Sequence, residues 1–353
     1  MLDFIQDAFS TFVMFLTARD SYEKYIETQK KILDLKPSWA RFIISLVAQN
    51  HLKRRSLAKR VTAGTTKGTW WGPGVQHMTE EQITAGDGPI MLYIHGGAFT
   101  VGHTKMWSEW CCDLTQHHKR KFNKDFRIFT VDYTLAPDAH FPTQHTECLA
   151  AIDYLVRRCK VNPLRIFISG DSAGGNLALQ TMYEHHDAAS FGGAVLFSPW
   201  GFPVVSLHQA GVVKSPVPID IKEDDSYYVY GKTDYVTDLF AVQGIKAYMG
   251  PNISYEDAFR HKGLNPFLRR PEDVAALPAT IIVYGGSEKL KTSIESWHKE
   301  NEKSFKDCEM YQEAAGVHDW PLSRKLCKDP AMYERGLERV SSWIEKKMIH
   351  GGK

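Results

Sequence analysis

Short apolar runs alternate with longer amphipathic stretches through the middle and end of this chain, and that alternation limits its fold more than any other feature. The runs at 90–95 (IMLYIH), 127–133 (RIFTVDY), 165–170 (RIFISG), 193–198 (GAVLFS), 279–286 (ATIIVYGG) and 308–314 (CEMYQEA) have the length and composition of strands. Helical spacing fills about 104–121, 143–160, 173–187, 291–304 and 330–347 between and after them. Such a pattern predicts an α/β fold, a mostly parallel sheet covered by helices. Residues 67–83, which contain TWWGPGVQHM, are interrupted by Gly and Pro and read as short antiparallel edge strands.

Two stretches break the alternation. Residues 1–60 look helical without strands, and 201–262 form a long irregular insertion between one strand and the next. Structureless loops of that size are uncommon inside a compact domain, so the insertion is expected to be a cap with helices of its own. The chain then divides into an N-terminal helical cap segment (1–60), a first part of the core (61–200), the cap insertion (201–262) and a second part of the core (263–353). The insertion carries Phe202, Tyr227, Tyr228, Tyr230, Tyr235, Phe240, Tyr248, Tyr255 and Phe259. That aromatic density suits a small core, an apolar substrate wall, or both.

A formal net charge of +2 over 353 residues gives no reason to expect nucleic acid as a partner. The most basic stretch, HLKRRSLAKR at 51–60, follows the apolar FIISLVA at 42–48. The pair reads as a packed helix with a solvated basic end, or as an amphipathic helix on a membrane surface. Six cysteines without paired spacing, apart from adjacent Cys111 and Cys112, form neither a disulfide framework nor a zinc pattern. The apolar N-terminal stretch is preceded by Asp3 and Asp7 instead of basic residues, and it is shorter than the ~20 apolar residues a membrane span needs. The expectation is a cytoplasmic protein, with peripheral membrane contact through residues 1–60 as the alternative.

The stretch ISGDSAGGNLAL, 168–179, places Ser172 between a strand and a helix, with Gly170 and Gly174 completing G-x-S-x-G. A plain Gly/Ser loop would look similar. In this context, however, the pattern fits a nucleophile elbow, whose crowded turn demands small neighbours. Upstream, YIHGGAF at 93–99 follows the first strong strand, and its glycines allow backbone amides to converge on an oxyanion. Gly96, Gly97 and Ala173 are the expected donors. Downstream, the order Ser, acid, His leads to His318 in AAGVHDWP, after the last strand. His261 and His298 fall in the insertion and mid-helix, and read as surface residues. Glu288 in YGGSEKL follows the penultimate strand; it is either the acid that orients His318 or a helix N-terminal residue that complements the dipole.

HGGAF, VDYTLAPDAHFP, GDSAGG, the NPF at 265–267, GGSEKL and VHDW together, in order over about 65–345, resemble the hormone-sensitive-lipase-like branch of the α/β-hydrolase superfamily. Within it the chain is most similar to fungal members, among them steryl acetyl hydrolases and enzymes of secondary metabolism. The resemblance implies an α/β-hydrolase fold: eight strands, mostly parallel, helices on both faces, and a cap from the N-terminal helices and the insertion. It also implies that Asp132 and Tyr133 are structural, and Asp138 and His140 read as scaffold. The branch usually has aspartate where this chain has Glu288.

The expected chemistry is cleavage of a carboxylic ester of moderately apolar character through an acyl-enzyme, with Ser172 attacking, His318 moving the proton and Glu288 orienting His318. No metal or organic cofactor is implied. The same apparatus would serve an acyltransferase, cyclase or eliminating enzyme if the cap excluded water.

Overall fold

The computed structural model describes residues 21–49, 57–218, 222, 224–270, 272 and 277–351. Its strands are β1 (Ala58–Ala63), β2 (Thr66–Trp71), β3 (Ile90–Ile94), β4 (Arg127–Val131), β5 (Ile166–Asp171), β6 (Gly193–Phe197), β7 (Thr280–Gly285) and β8 (Cys308–Glu313). They form one sheet in the order β1-β2-β4-β3-β5-β6-β7-β8. β1 and β2 pair antiparallel, as do β2 and β4, and every other neighbouring pair is parallel. All six strands expected from the apolar runs are present. β3 to β7 are buried along their whole length, which is why they read as unbroken apolar runs and not as alternating ones.

The helices are α1 (Tyr22–Leu33), α2 (Pro37–Gln49), α3 (Glu80–Thr84), α4 (Ser108–Phe122), α5 (Thr143–Asp153), α6 (Ala173–Glu184), α7 (Val205–Gln209), α8 (Ser226–Val229), α9 (Asp238–Met249), α10 (Tyr255–Arg260), α11 (Lys291–Asn301) and α12 (Pro330–Gly351). Side chains alternate across the sheet, so Met91 and Tyr93 of β3 pack with Trp110 of α4 and Tyr333 of α12 on one face. Ile90, Leu92 and Ile94 pack with Ile152 of α5, Leu177 of α6 and Ile294 of α11 on the other.

Three expectations shift. The first strand begins at Ala58, inside the stretch read as helical, because Lys59 and Arg60 are the charged residues of an edge strand and not the end of a basic helix. Helix α2 ends at Gln49, and 50–56 and 1–20 lie outside the described residues. Beyond Trp71 the region read as edge strands is instead a short helical turn, Val75–His77, followed by α3. The stretch 143–160 is α5 to Asp153 and then a wider π turn, Tyr154–Arg158.

The insertion is helical, carrying α7 to α10, and it is bound from two sides. Asn265 of the NPF motif accepts from Val204 N–H (3.2 Å) and donates to Ala258 O (2.8 Å), fixing both flanks of α7–α10. Phe267 stacks on Trp297 of α11 with centroids 4.4 Å apart. From the N-terminal side, Asp34 accepts from Thr237, the residue that caps α9. Arg41 of α2 reaches the core, donating to Thr100 O (2.6 Å), Ala136 O (2.6 Å) and Asp138 (2.8 Å). Among the described residues no helix is long and apolar enough to cross a membrane. The six cysteines form no disulfide among the described residues.

Phe267→Ala should cost about 3–5 kcal/mol in chemical denaturation, because it removes a fully buried ring that the surrounding packing cannot replace. Tyr255→Ala, on an exposed part of the insertion, should change stability by no more than about 0.5 kcal/mol.

Candidate active site

β5 stops at Asp171 and α6 starts at Ala173, so a single residue makes the turn between strand and helix. That residue, Ser172, has φ 52° and ψ −119°, a region L-residues seldom occupy. Its N–H donates to Phe197 O (3.0 Å), and its carbonyl accepts from Asn176 N–H (3.1 Å) and Trp200 N–H (2.9 Å). The glycines around it are obligatory. A Cβ on Gly174 would lie 2.0 Å from Ile94 O, and one on Gly170 would lie 2.3 Å from Gly174 O.

The loop after β3 runs alongside this turn. Gly97, Ala98 and Phe99 have φ of 103°, 48° and 63°, and a Cβ on Gly97 would meet Val101 O at 2.3 Å. Tyr133 holds the loop by donating to His95 O (2.9 Å) while its ring stacks on the His95 imidazole at 4.4 Å. Burial lowers the pKa of His95 to about 4, keeping it neutral, and its Nδ1 bonds Gly96 O at 2.8 Å. Of the three expected oxyanion donors, Gly96 is corrected: its N–H donates to Asp171 Oδ1 at 2.9 Å and is not available to a ligand. Gly97 and Ala173 keep amides with no acceptor among the described residues.

His318 sits in the loop after β8, fully buried, and lines the same cavity as Ser172 and Gly97. Its Nδ1 is 3.7 Å from Glu288 Oε1, an ion-pair distance slightly longer than a hydrogen bond. The other oxygen of Glu288 accepts from Ser198 Oγ (2.6 Å) and Gly285 N–H (2.6 Å). The longer carboxylate thus occupies the place expected for the orienting acid, with its second oxygen fixed by β6 and β7. Glu288 is entirely buried, which does not suit a solvated helix N-terminus.

The imidazole's other nitrogen faces a group that the sequence did not single out. His318 Nε2 is 3.2 Å from Asp319 Oδ2. Asp319 has φ 54°, and its N–H donates to Ser198 Oγ (3.2 Å), so one hydroxyl serves both Glu288 and Asp319. The buried Asp171 carboxyl, whose Oδ1 accepts from Tyr93 OH, disfavours a charge on Asp319. Burial opposes a charge on His318, but Asp319, Glu288 and Asp234 outweigh it and push the imidazole up to about 10. Burial raises Asp319 well above the usual carboxylate range, and Asp171 adds to the shift. The adjacency of His318 and Asp319 was the only signal in the sequence, and it does not reveal a turn that folds one side chain back on the other.

The cavity measures about 140 Å³ and is walled by Ile32 and Leu33 of α1, Ile43 of α2, Val101, and Phe240 of α9. A smaller arm of about 20 Å³ runs from Ser172 and His318 past Ala98 to Trp200. The insertion's aromatics divide in role: Tyr235 meets the His318 ring edge-on at 5.8 Å, Tyr248 stacks on Phe99 at 3.7 Å in the core, and Tyr228 and Tyr255 are exposed. Asp132, Asp138 and His140 bind Arg60, Arg41 and Ala247 O, away from the cavity lining. His261 and His298 do not line the cavity and are half-buried, not surface residues. Among the described residues a group with metal-ligand spacing, His185, His186 and Asp187, lies after α6 and outside this cavity.

A strand-turn-helix serine, a glycine loop with free amides and a buried imidazole at one sheet edge define an α/β-hydrolase. The chain belongs to the alpha/beta hydrolase fold family, whose model matches residues 91–322. It is similar to lipase 2 of Moraxella sp. (strain TA144), 37% identical over 95 residues, covering 26% of this chain and 21% of that protein. It is also similar to arylacetamide deacetylase-like 2 of Homo sapiens, 36% identical over 98 residues, covering 25% of this chain and 22% of that protein. A hormone-sensitive lipase from a metagenome library shares the fold, with a TM-score of 0.69 at 17% identity over 93% of this chain and 98% of its own.

Ser198→Ala leaves Glu288 Oε2 and the Asp319 amide each short of one buried partner. It should lower stability by about 1–3 kcal/mol in urea denaturation.

Proposed function

We propose that the protein is a serine hydrolase that cleaves carboxylic esters of a moderately apolar small molecule through an acyl-enzyme. The observation that carries this reading is the strained Ser172 turn opening into the cavity that His318 also lines, with Glu288 behind the imidazole. Ser172 Oγ attacks the ester carbonyl while neutral His318 accepts its proton; Glu288 holds the imidazole by Nδ1 and stabilises the cation that forms. The developing oxyanion takes the amides of Gly97 and Ala173, and the role of Gly96 is to lock the loop onto Asp171. His318 then gives its proton to the departing alcohol, and water, activated the same way, releases the acid.

The apolar walls from α1, α2 and α9 favour an uncharged substrate, and the small arm beside Ser172 favours a short group on one side of the scissile bond. Relatives named as a lipase and as deacetylase-like support an acyl bond as the target. Six thiols without a disulfide suit a cytoplasmic setting.

A fluorophosphonate should label the protein, and Ser172→Ala should abolish the labelling. Glu288→Gln should lower kcat for a short aryl ester by on the order of 10⁴, the effect of neutralising a buried triad acid. Unchanged turnover in Glu288→Gln would assign the orienting role to another carboxylate. Labelling without turnover until an alcohol is supplied would make the enzyme an acyltransferase.

A further inference from the structure

The arrangement at His318 Nε2 differs from what the proposed mechanism needs at the moment of attack. That nitrogen must accept the proton of Ser172, yet it lies 3.2 Å from Asp319 Oδ2, while the opposite nitrogen faces Glu288. We propose that Asp319 is a positioning residue that competes with Ser172 for His318 Nε2, holding the imidazole in its protonated form until that proton is lost. The proposal rests on the reading of Ser172 and His318 as nucleophile and base.

Asp319 is fixed where it can do this. Its backbone is in the left-handed region, its N–H is held by Ser198 Oγ, and its side chain is almost wholly buried. Oδ1 receives no hydrogen bond from any donor among the described residues, and the buried Asp171 carboxyl disfavours a charge there. Burial and Asp171 disfavour a charge on Asp319, whereas the imidazolium facing it at 3.2 Å favours one, so carboxylate and cation form together. That carboxylate borders a fully buried imidazole.

The groups around His318 come from four elements. Glu288 follows β7, Asp319 is on its own loop, Asp234 comes from the insertion before α9, and Asp171, which ends β5, interacts with both His318 and Asp319. Tyr235 meets the imidazole edge-on, and burial with Asp319, Asp234 and Asp171 raises its hydroxyl well above the ordinary range, so it adds no charge. Lys289, which lines the small arm with His318, is bound to Asp238, and its backbone N–H donates to Asp234 at 2.8 Å. The balance is negative and favours imidazolium. Because serine activation needs the neutral ring, the reaction should appear only as pH rises above the ordinary histidine range. Removing the Asp319 charge should move that limb down.

A structural reading of Asp319 also exists: aspartate, asparagine and glycine all tolerate positive φ. Asp319→Asn and Asp319→Gly both keep the turn while deleting the charge, and they separate the two readings. The primary readout is the NMR titration of the His318 ring, assigned with His318→Gln, which needs no catalysis. The second is the pH dependence of fluorophosphonate labelling in the intact protein. The expected result is a wild-type midpoint above about 6.5 in both measurements, lowered by about one pH unit or more in both variants. Labelling near neutral pH should then rise about tenfold, since one pH unit is a tenfold change in the neutral fraction. A wild-type midpoint in the ordinary histidine range, or variants that titrate like wild type, overturns the proposal. So does a ring titration that moves while the labelling profile does not. If Ser172 is never labelled at any pH, the hydrolase reading fails, and the unshifted or shifted ring titration still decides whether Asp319 holds the cation.

Discussion

The crowded backbone around Ser172 is the constraint on which the rest of the structure depends. β3 and β5 are neighbours in the sheet, so the start of α6 must pass within van der Waals contact of the end of β3. Only glycine at 174 leaves room beside Ile94 O, and only glycine at 170 leaves room beneath Gly174. The strained dihedrals of Ser172 persist because Phe197, Asn176 and Trp200 hold its amide and carbonyl from three sides. The same packing sets the oxyanion loop, since Asp171 at the end of β5 anchors the Gly96 amide. Ser172 and the loop after β3 are therefore positioned by a single contact between strands.

Electrostatics then sets the character of the site. A fully buried imidazole would ordinarily be neutral, as His95 is. At His318 the carboxylates of the last loop, of the turn after β7 and of the insertion reverse that preference. The insertion contributes more than a cover: Asp234 binds the backbone of Lys289, directly after Glu288, and Ser226 Oγ donates to Lys289 O (2.8 Å). Movement of the insertion would be felt at Glu288.

The central strands were legible because strands buried on both faces must be apolar throughout, and chain order pointed to His318 and Glu288, which the fold places 3.7 Å apart. The hairpin edge at β1 was not, because Lys59 and Arg60 at an exposed edge look like the polar end of a helix. Gly96 was misassigned for a different reason. A glycine pair reveals backbone freedom but not which amide is already committed, and that depends on β3 lying beside β5. Ser198 and Asp319 stayed hidden because their roles arise only when β6, β7 and the final loop meet.

The central claim is that Ser172 forms a covalent bond to the acyl group during turnover. Rapid acid quench of the protein with a short-chain aryl ester, followed by peptide mass analysis, tests it most directly. The expected result is a mass increase of one acyl group on the peptide containing Ser172. Undiminished ester hydrolysis by Ser172→Ala, with no acyl group on any peptide of the wild-type protein, would contradict it.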